Sequence, residues 1–116
     1  MAAFNSNDIP RILATYTPDA TLLGTTSPTL TKGPEALRTY FEPSVKAKAQ
    51  VKLGEGTPTP VADGTVVWAG FYEVSGTAPN GQAFTTPARY TFVVVSRDGR
   101  WQIAHQHSST RPKPPQ

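Results

Sequence analysis

The segment that most constrains the fold is the last strand candidate, Arg100 to Ser109, which reads Arg-Trp-Gln-Ile-Ala-His-Gln-His-Ser-Ser. Successive side chains of a strand point to opposite faces, so strict alternation predicts one face that changes from apolar to imidazole-bearing along the strand. Such a face indicates a sheet whose inner surface runs from a packed core into a polar pocket. The predicted inner residues are Trp101, Ile103, His105 and His107, and the predicted outer residues are Gln102, Ala104, Gln106 and Ser108.

The composition favours one ordinary domain, predicted over residues 1–110, followed by a proline-rich extended tail over residues 111–116. The absence of cysteine excludes disulfides and thiolate chemistry. Basic residues exceed acidic ones by three, but no basic stripe is interleaved with aromatic residues, so nucleic acid is not a predicted partner. We expect no signal peptide, because the first residues lack a charged segment followed by an apolar core, and no apolar run approaches the roughly 20 residues of a membrane span. We therefore expect a cytoplasmic protein without a membrane partner.

Two helices are predicted in the first half of the chain. The first follows Asp8, a candidate N-cap, and the second follows Gly33-Pro34, where a proline suits the first helical turn. Pro43 is expected to end or kink the second helix, because its ring clashes with the carbonyl four residues earlier. The predicted buried faces comprise Ile9, Ile12, Leu13 and Tyr16 in the first helix, and Leu37, Tyr40 and Phe41 in the second.

The remainder of the chain is predicted to form strands joined by hairpins. Ala20 to Leu23 is a short strand candidate, and Gln50 to Glu55 is a weak one that the glycines and prolines of residues 54–60 are expected to break. Longer strands are predicted over Thr65 to Ser75 and Phe84 to Ser96, and Asp98-Gly99 turns the chain into its last strand. Helices followed by antiparallel strands predict an α+β fold, with the helices on one face of a curved sheet and a pocket between them.

The segment from Asp98 to Pro112 resembles the ending of the association (hub) domain of calcium/calmodulin-dependent protein kinase II and of its free-standing bacterial relatives. Those proteins are members of the nuclear transport factor 2-like, SnoaL-like superfamily. Similar stretches are Pro18-Asp19, the helical segment from Gly33 to Glu42, and Arg89, so the resemblance spans most of the chain.

The resemblance implies a cone-shaped, cystatin-like α+β fold whose mostly antiparallel sheet dimerises through its outer face. It also implies a cavity lined by arginine and histidine side chains. Arg89 matches the arginine that reaches into the hub pocket, and His105 and His107 match the terminal His-x-His motif. We therefore expect a homodimer, with the larger ring of the kinase hubs left open, and a small organic anion such as a carboxylate as ligand.

The predicted site residues each have an alternative role. His105 and His107 could bind an anion or move a proton near neutral pH, or they could be hydrogen-bonded wall residues. Arg89 could bind a ligand carboxylate, or it could form an ion pair with Glu55 or Glu73. Tyr40, Trp68 and Tyr72 are candidates for both the core and the cavity wall.

The outward face of the last strand is the predicted dimer surface. Gln102, Ala104 and Gln106 are expected to meet the second copy there, because small uncharged side chains suit a flat isologous interface. Two histidines without cysteine do not complete a tetrahedral metal site, and no cofactor is predicted.

Catalysis is the alternative to a non-catalytic oligomerising domain. Enzymes of the superfamily, such as isomerases, cyclases and hydrolases, use a carboxylate as a general base inside the cone. Most acids of this chain lie in predicted caps, turns or helix surfaces, so His105 and Glu73 are the candidate proton shuttles. The leading hypothesis is an oligomerising domain with a ligand pocket, and the alternative is a small SnoaL-like enzyme.

Overall fold

A computed structural model describes residues 2–113, and its fold is α+β, as predicted, with three helices packed on a curved six-stranded sheet. Residues 114–116 of the predicted tail lie outside the described residues. No described helix is long and apolar enough to cross a membrane. The elements in chain order are α1 (Ala2–Asn5), α2 (Ile9–Ala14), β1 (Tyr16–Leu23), β2 (Thr31–Lys32), α3 (Pro34–Lys46), β3 (Gln50–Ala62), β4 (Thr65–Thr77), β5 (Ala83–Arg97) and β6 (Arg100–Thr110).

The strands form one sheet in the order β2-β1-β6-β5-β4-β3. Every neighbouring pair is antiparallel except β1 and β6, which run parallel. Parallel neighbours cannot be joined by a hairpin, and here the other strands and α3 lie between β1 and β6 in the sequence. The helices pack against one side of this sheet, called here the inner face, and the opposite side is the outer face. The predicted helix-on-sheet arrangement is therefore confirmed.

Both longer helices have a proline in the first turn, and α3 begins at Pro34, as predicted. The first helix ends at Ala14, so Tyr16 starts β1 and does not extend the helix. Pro43 does not end the helix, because α3 continues through it to Lys46. Pro43 lies close to the C-terminus of the helix, where the missing N–H costs one hydrogen bond and the last turn is closed by the Ala47 N–H donating to the Pro43 carbonyl.

The prediction that β3 breaks after Glu55 is also wrong, since β3 runs to Ala62. A register shift between Leu53 and Gly56 accommodates the glycines. Pro58 and Pro60 lie opposite Trp68 and Val66 of β4, with no strand on their other side. A proline is tolerated there because its missing N–H faces away from the ladder.

The core consists of two clusters on the inner face that share Phe4 and Ile103 as neighbours. One cluster joins the helices to β1, and the other covers the middle of β3, β4 and β5. Between them the helices and the sheet diverge, which leaves space inside the fold. The first cluster comprises Ile12, Tyr16, Ala20, Leu22, Leu37 and Phe41, and the second comprises Val51, Tyr72, Ala88, Tyr90 and Phe92.

The last strand contains a β-bulge that strict alternation does not anticipate. Ile103 lies opposite Val94 and His105 lies opposite Val93, so Ala104 is an extra residue without a partner. One extra residue exchanges the two faces for everything that follows it. Beyond the bulge, the inner face therefore carries Gln106 and Ser108, which are buried, and the histidines lie on the outer face.

Candidate functional site

A cavity of about 1240 Å³ lies between the helices and the inner face of the sheet. Its walls are mainly apolar side chains from the helices and from β3, β4, β5 and β6. Exposed residues at the end of α3 and in the β4–β5 turn form its rim, where the Thr77 N–H donates to the Ala47 carbonyl. The apolar wall includes Phe4, Ile12, Phe41, Val51, Val74, Phe84, Phe92 and Ile103.

Five polar side chains at one end of the cavity form a continuous hydrogen-bonded series, called here the hydroxyl–amide chain. The Tyr16 hydroxyl donates to Oε1 of Gln106, and Nε2 of Gln106 donates to the Tyr72 hydroxyl at 3.3 Å. The Tyr72 hydroxyl donates to Oγ of Ser108 at 2.6 Å, and Ser108 Oγ lies 2.6 Å from Oγ1 of Thr25. All five residues line the cavity, so its mainly apolar wall carries one hydrogen-bonded polar cluster.

The hydroxyl–amide chain is electrically neutral. Burial raises the pKa of Tyr16, and the nearby Tyr72 and Tyr40 add to that increase. Burial also raises the pKa of Tyr72, an effect that its hydrogen bonds with Ser108 and Gln106 partly offset. Both phenols therefore keep their protons at neutral pH. Among the described residues that line the cavity, the charged ones are Lys46 and Lys48, which are exposed at the rim.

A model of the SnoaL-like domain family matches residues 1–103 of this chain. The chain belongs to the SnoaL-like family. The match covers the helices, the first five strands and the start of the last one. No curated protein matches the sequence.

Solved structures support the same assignment for the SnoaL-like chain. A candidate calcium/calmodulin-dependent protein kinase II association domain from Xanthomonas campestris shares 34% identity and a TM-score of 0.90, over 97% of this chain and 81% of that one. The predicted resemblance to association domains is therefore confirmed. The hub homology domain of the same kinase from Chlamydomonas reinhardtii shares 21% identity, with a TM-score of 0.77 over 96% of this chain and 89% of that one.

Relatives of other kinds have the same fold. A candidate scytalone dehydratase from Novosphingobium aromaticivorans shares 12% identity, with a TM-score of 0.84 over 96% of this chain and 76% of that one. At this identity the likeness establishes the fold alone. The fold therefore serves both association domains and proteins assigned to enzyme families.

Two of the three predicted wall aromatics line the cavity of the SnoaL-like chain. Tyr40 packs edge-on against Phe41, and Tyr72 belongs to the hydroxyl–amide chain. Trp68 is 43% exposed and lies outside the cavity lining. It extends from a part of β4 whose neighbour is the edge strand β3, so no helix closes over it.

The predicted placement of Arg89, His105 and His107 inside the cavity is wrong. Ala88 and Tyr90 are buried on the inner face, so Arg89 between them points outward, where its Nε donates to Ser109 Oγ at 2.9 Å. The bulge turns both histidines to the same outer face. There His105 Nδ1 lies 2.8 Å from Thr21 Oγ1, and His107 is exposed opposite Thr91.

The alternative ion pair of Arg89 with Glu55 or Glu73 does not form among the described residues, whose one ion pair joins Arg97 and Asp19 at 3.7 Å. Glu73 is exposed and lies opposite Pro87 on the outer face. Because His105 also lies there, both predicted proton shuttles are separated from the cavity by the sheet.

The predicted dimer residues do not share an outward face. Gln106 is 7% exposed and belongs to the hydroxyl–amide chain, so its outward placement is wrong. Gln102 precedes the bulge, and its Nε2 donates to the carbonyls of Ala14 and Tyr16. Ala104 is the bulged residue itself.

Sequence reasoning missed four residues of the hydroxyl–amide chain. Tyr16 was expected on a helix, and Gln106 and Ser108 were expected on the outer face. Thr25 lies in the segment between β1 and β2, for which no role was predicted. The alternation of Gln106 and Ser108 with the histidines was visible in the sequence, but the bulge that decides which set faces inward was not.

Proposed function

We propose that this SnoaL-like chain is a self-associating domain that binds a small molecule in its cavity. The observation that carries the binding proposal is the cavity itself: a mainly apolar space with one hydrogen-bonded group of polar side chains, most of them buried. Ligand sites generally combine an apolar wall with a few polar groups that fix orientation. The predicted arginine and histidine clamp for an anion has no support here, because those residues lie on the other side of the sheet.

The proposal of self-association is supported by the outer face of the sheet. The helices cover only the inner face of the sheet, so no other element among the described residues packs on the outer face. The central strands carry β-branched and small side chains on that outer face. It is called here the outer patch and consists of Leu23, Val67, Ala69, Thr91, Val93, His105 and His107. The name of the Xanthomonas relative, an association domain, points to the same property. A sheet face of small and β-branched side chains suits an isologous contact between two copies.

The alternative proposal of a SnoaL-like enzyme with His105 or Glu73 as proton shuttle gains no support from the geometry. A general base must come within hydrogen-bonding reach of the proton that it removes. Both side chains lie on the outer face, whereas the cavity opens on the inner one.

Blocking the cavity tests the binding proposal. Thr86 lines the cavity, and its neighbour Thr85 is exposed on the other face of β5. We expect N-phenyl-1-naphthylamine, a neutral fluorescent probe, to bind the wild-type protein saturably, and Thr86→Trp to weaken that binding at least about tenfold because the indole fills the space. Thr85→Trp is the matched control and should leave the affinity unchanged. Equal affinity of all three proteins, or no saturable binding to the wild type, would contradict a ligand site in this cavity.

A further inference from the structure

The hydroxyl–amide chain has more donor hydrogens than its internal hydrogen bonds require. Its four hydroxyl groups and one amide group provide six hydrogens, and the four hydrogen bonds that join the five side chains use four of them. Two hydrogens therefore remain, whichever way the individual groups are turned. A buried donor without a partner is costly and rare, whereas a spare lone pair on an oxygen is tolerated more readily.

The hydrogen-bond directions indicate where the two spare hydrogens lie. Gln106 donates to Tyr72, and Tyr72 donates to Ser108. Among the described residues Thr25 is the remaining partner of Ser108, so the Ser108 hydrogen goes to Thr25. The free hydrogens are then the hydroxyl hydrogen of Thr25 and the second amide hydrogen of Gln106, and both residues line the cavity.

We infer that the cavity takes a neutral, largely apolar molecule that has a hydrogen-bond acceptor, such as a ketone oxygen, at one end. The acceptor meets the spare hydroxyl hydrogen of Thr25, with the amide of Gln106 lining the same cavity, and the apolar body lies against the aromatic and aliphatic wall. This inference rests on the proposed function, because it names the class of ligand for the same cavity.

The charge of the surroundings decides against an anion at the polar end. Tyr16 and Tyr72 are neutral phenols, and each already donates its hydroxyl hydrogen to another member of the hydroxyl–amide chain. Lys46 and Lys48 line only the exposed rim. A carboxylate beside Gln106 would lose its hydration without meeting a cation, and an unpaired buried charge is far more costly than a hydrogen-bonded neutral group.

Three probes of nearly equal shape test the inference: 2-acetylnaphthalene, 2-isopropenylnaphthalene and 2-naphthoate. They differ in having a neutral acceptor, no acceptor and an anionic acceptor. We expect the ketone to bind about tenfold more tightly than the hydrocarbon, from one or two net hydrogen bonds, and the naphthoate to bind most weakly. Titration calorimetry on the full chain measures the three affinities.

Substitution of the spare donor completes the test. Thr25→Val should remove most of the preference for the ketone while leaving the affinity for the hydrocarbon unchanged. Thr29→Val makes the same chemical change at an exposed position of the same loop that does not line the cavity, and it should preserve the preference. Melting temperatures of both variants report whether they fold.

The outcomes separate the two proposals. Equal affinities for ketone and hydrocarbon, or a naphthoate that binds as tightly as the ketone, would overturn the inferred ligand class while a binding cavity stands. A preference that survives in Thr25→Val would overturn the role of that hydroxyl. If neither the naphthalenes nor N-phenyl-1-naphthylamine binds, the proposed function fails together with the inference.

Discussion

Tyr16 is the residue whose role differs most from its prediction. The spacing from Ile9 to Tyr16 fits a helix face, and its burial was predicted correctly, since it is 8% exposed in the first core cluster. What the spacing could not indicate is the end of α2 at Ala14, after which the chain turns into β1 and joins β6. That parallel pairing brings Tyr16 to Gln106, a residue ninety positions away. Local periodicity contains no information about such a contact.

The ionisation of Tyr16 predicts that the protein becomes less stable in alkali. The pKa of Tyr16 is raised in the folded state, chiefly by burial, whereas in the unfolded chain it is about 10. The stabilising contribution of the neutral phenol is therefore fully present below pH 10, and it is lost as the pH rises above 10, because the unfolded state then binds fewer protons. Each such tyrosine gives a slope of up to about 1.4 kcal/mol per pH unit.

Urea unfolding of the wild type and of Tyr16→Phe between pH 8 and pH 11 measures this contribution. We expect the free energy of unfolding of Tyr16→Phe to be lower at neutral pH, since Gln106 Oε1 loses its donor, but to fall less steeply above pH 10. If the free energies of unfolding of the two proteins changed with pH in parallel, Tyr16 would have the same pKa in the folded and unfolded states, and the prediction would be wrong.

At the scale of the elements, the long hairpins were predictable and the edge strand was not. Asp98-Gly99 lies in the turn that joins β5 to β6, as predicted, and Asp63-Gly64 lies in the turn that joins β3 to β4; Gly64, Asp98 and Gly99 have the positive φ angles that such turns require. β3 continues past Pro58 and Pro60 because an edge strand needs hydrogen bonds on one side only. The sequence does not state which strand lies at the edge, so the same prolines favoured a break.

The positions of Pro58 and Pro60 on the edge strand β3 indicate how the protein avoids edge-to-edge aggregation. Each removes an N–H from the free side of β3, where a second chain could otherwise add a strand. We expect replacement of both prolines by threonine to increase the rate of aggregation severalfold, as measured by static light scattering at 37 °C. Thr59→Val, at the exposed position between them, changes no backbone donor and is the control. An unchanged rate in the double variant would mean that the prolines do not protect this edge.

At the scale of the whole molecule, the two faces of the sheet have different properties. The inner face, with the helices, encloses the cavity, and the outer face is open and carries the outer patch. The overall layering was predictable from helices followed by strands. The assignment of individual residues to the two faces of β6 was not, because it depends on one unpaired residue, Ala104, in an eleven-residue strand.

The outer patch predicts the effect of a charge at its centre. Val93 lies on β5 between β4 and β6, opposite Val67 and His105. If two copies meet through this patch, Val93→Lys brings like charges together in a desolvated contact and should weaken self-association about a hundredfold. Thr39→Lys adds the same charge on the exposed surface of α3 and should have no such effect. Size-exclusion chromatography with light scattering gives the mass of each protein.

Under the proposal, the wild type and Thr39→Lys have at least twice the mass of one chain, and Val93→Lys has the mass of one chain at low concentration. A monomeric wild type would refute self-association itself. A Val93→Lys protein that stays assembled would move the contact to another surface.

The bulge at Ala104 has a consequence for how this protein can change over time. Beyond it, neighbouring residues of a single strand serve opposite sides: Gln106 and Ser108 face the cavity, while His105 and His107 face outward. Mutations can therefore alter the outer patch and the cavity wall independently, although the residues concerned are adjacent in the gene. A one-residue insertion directly after the bulge would instead exchange the two sets of side chains between the faces of the sheet.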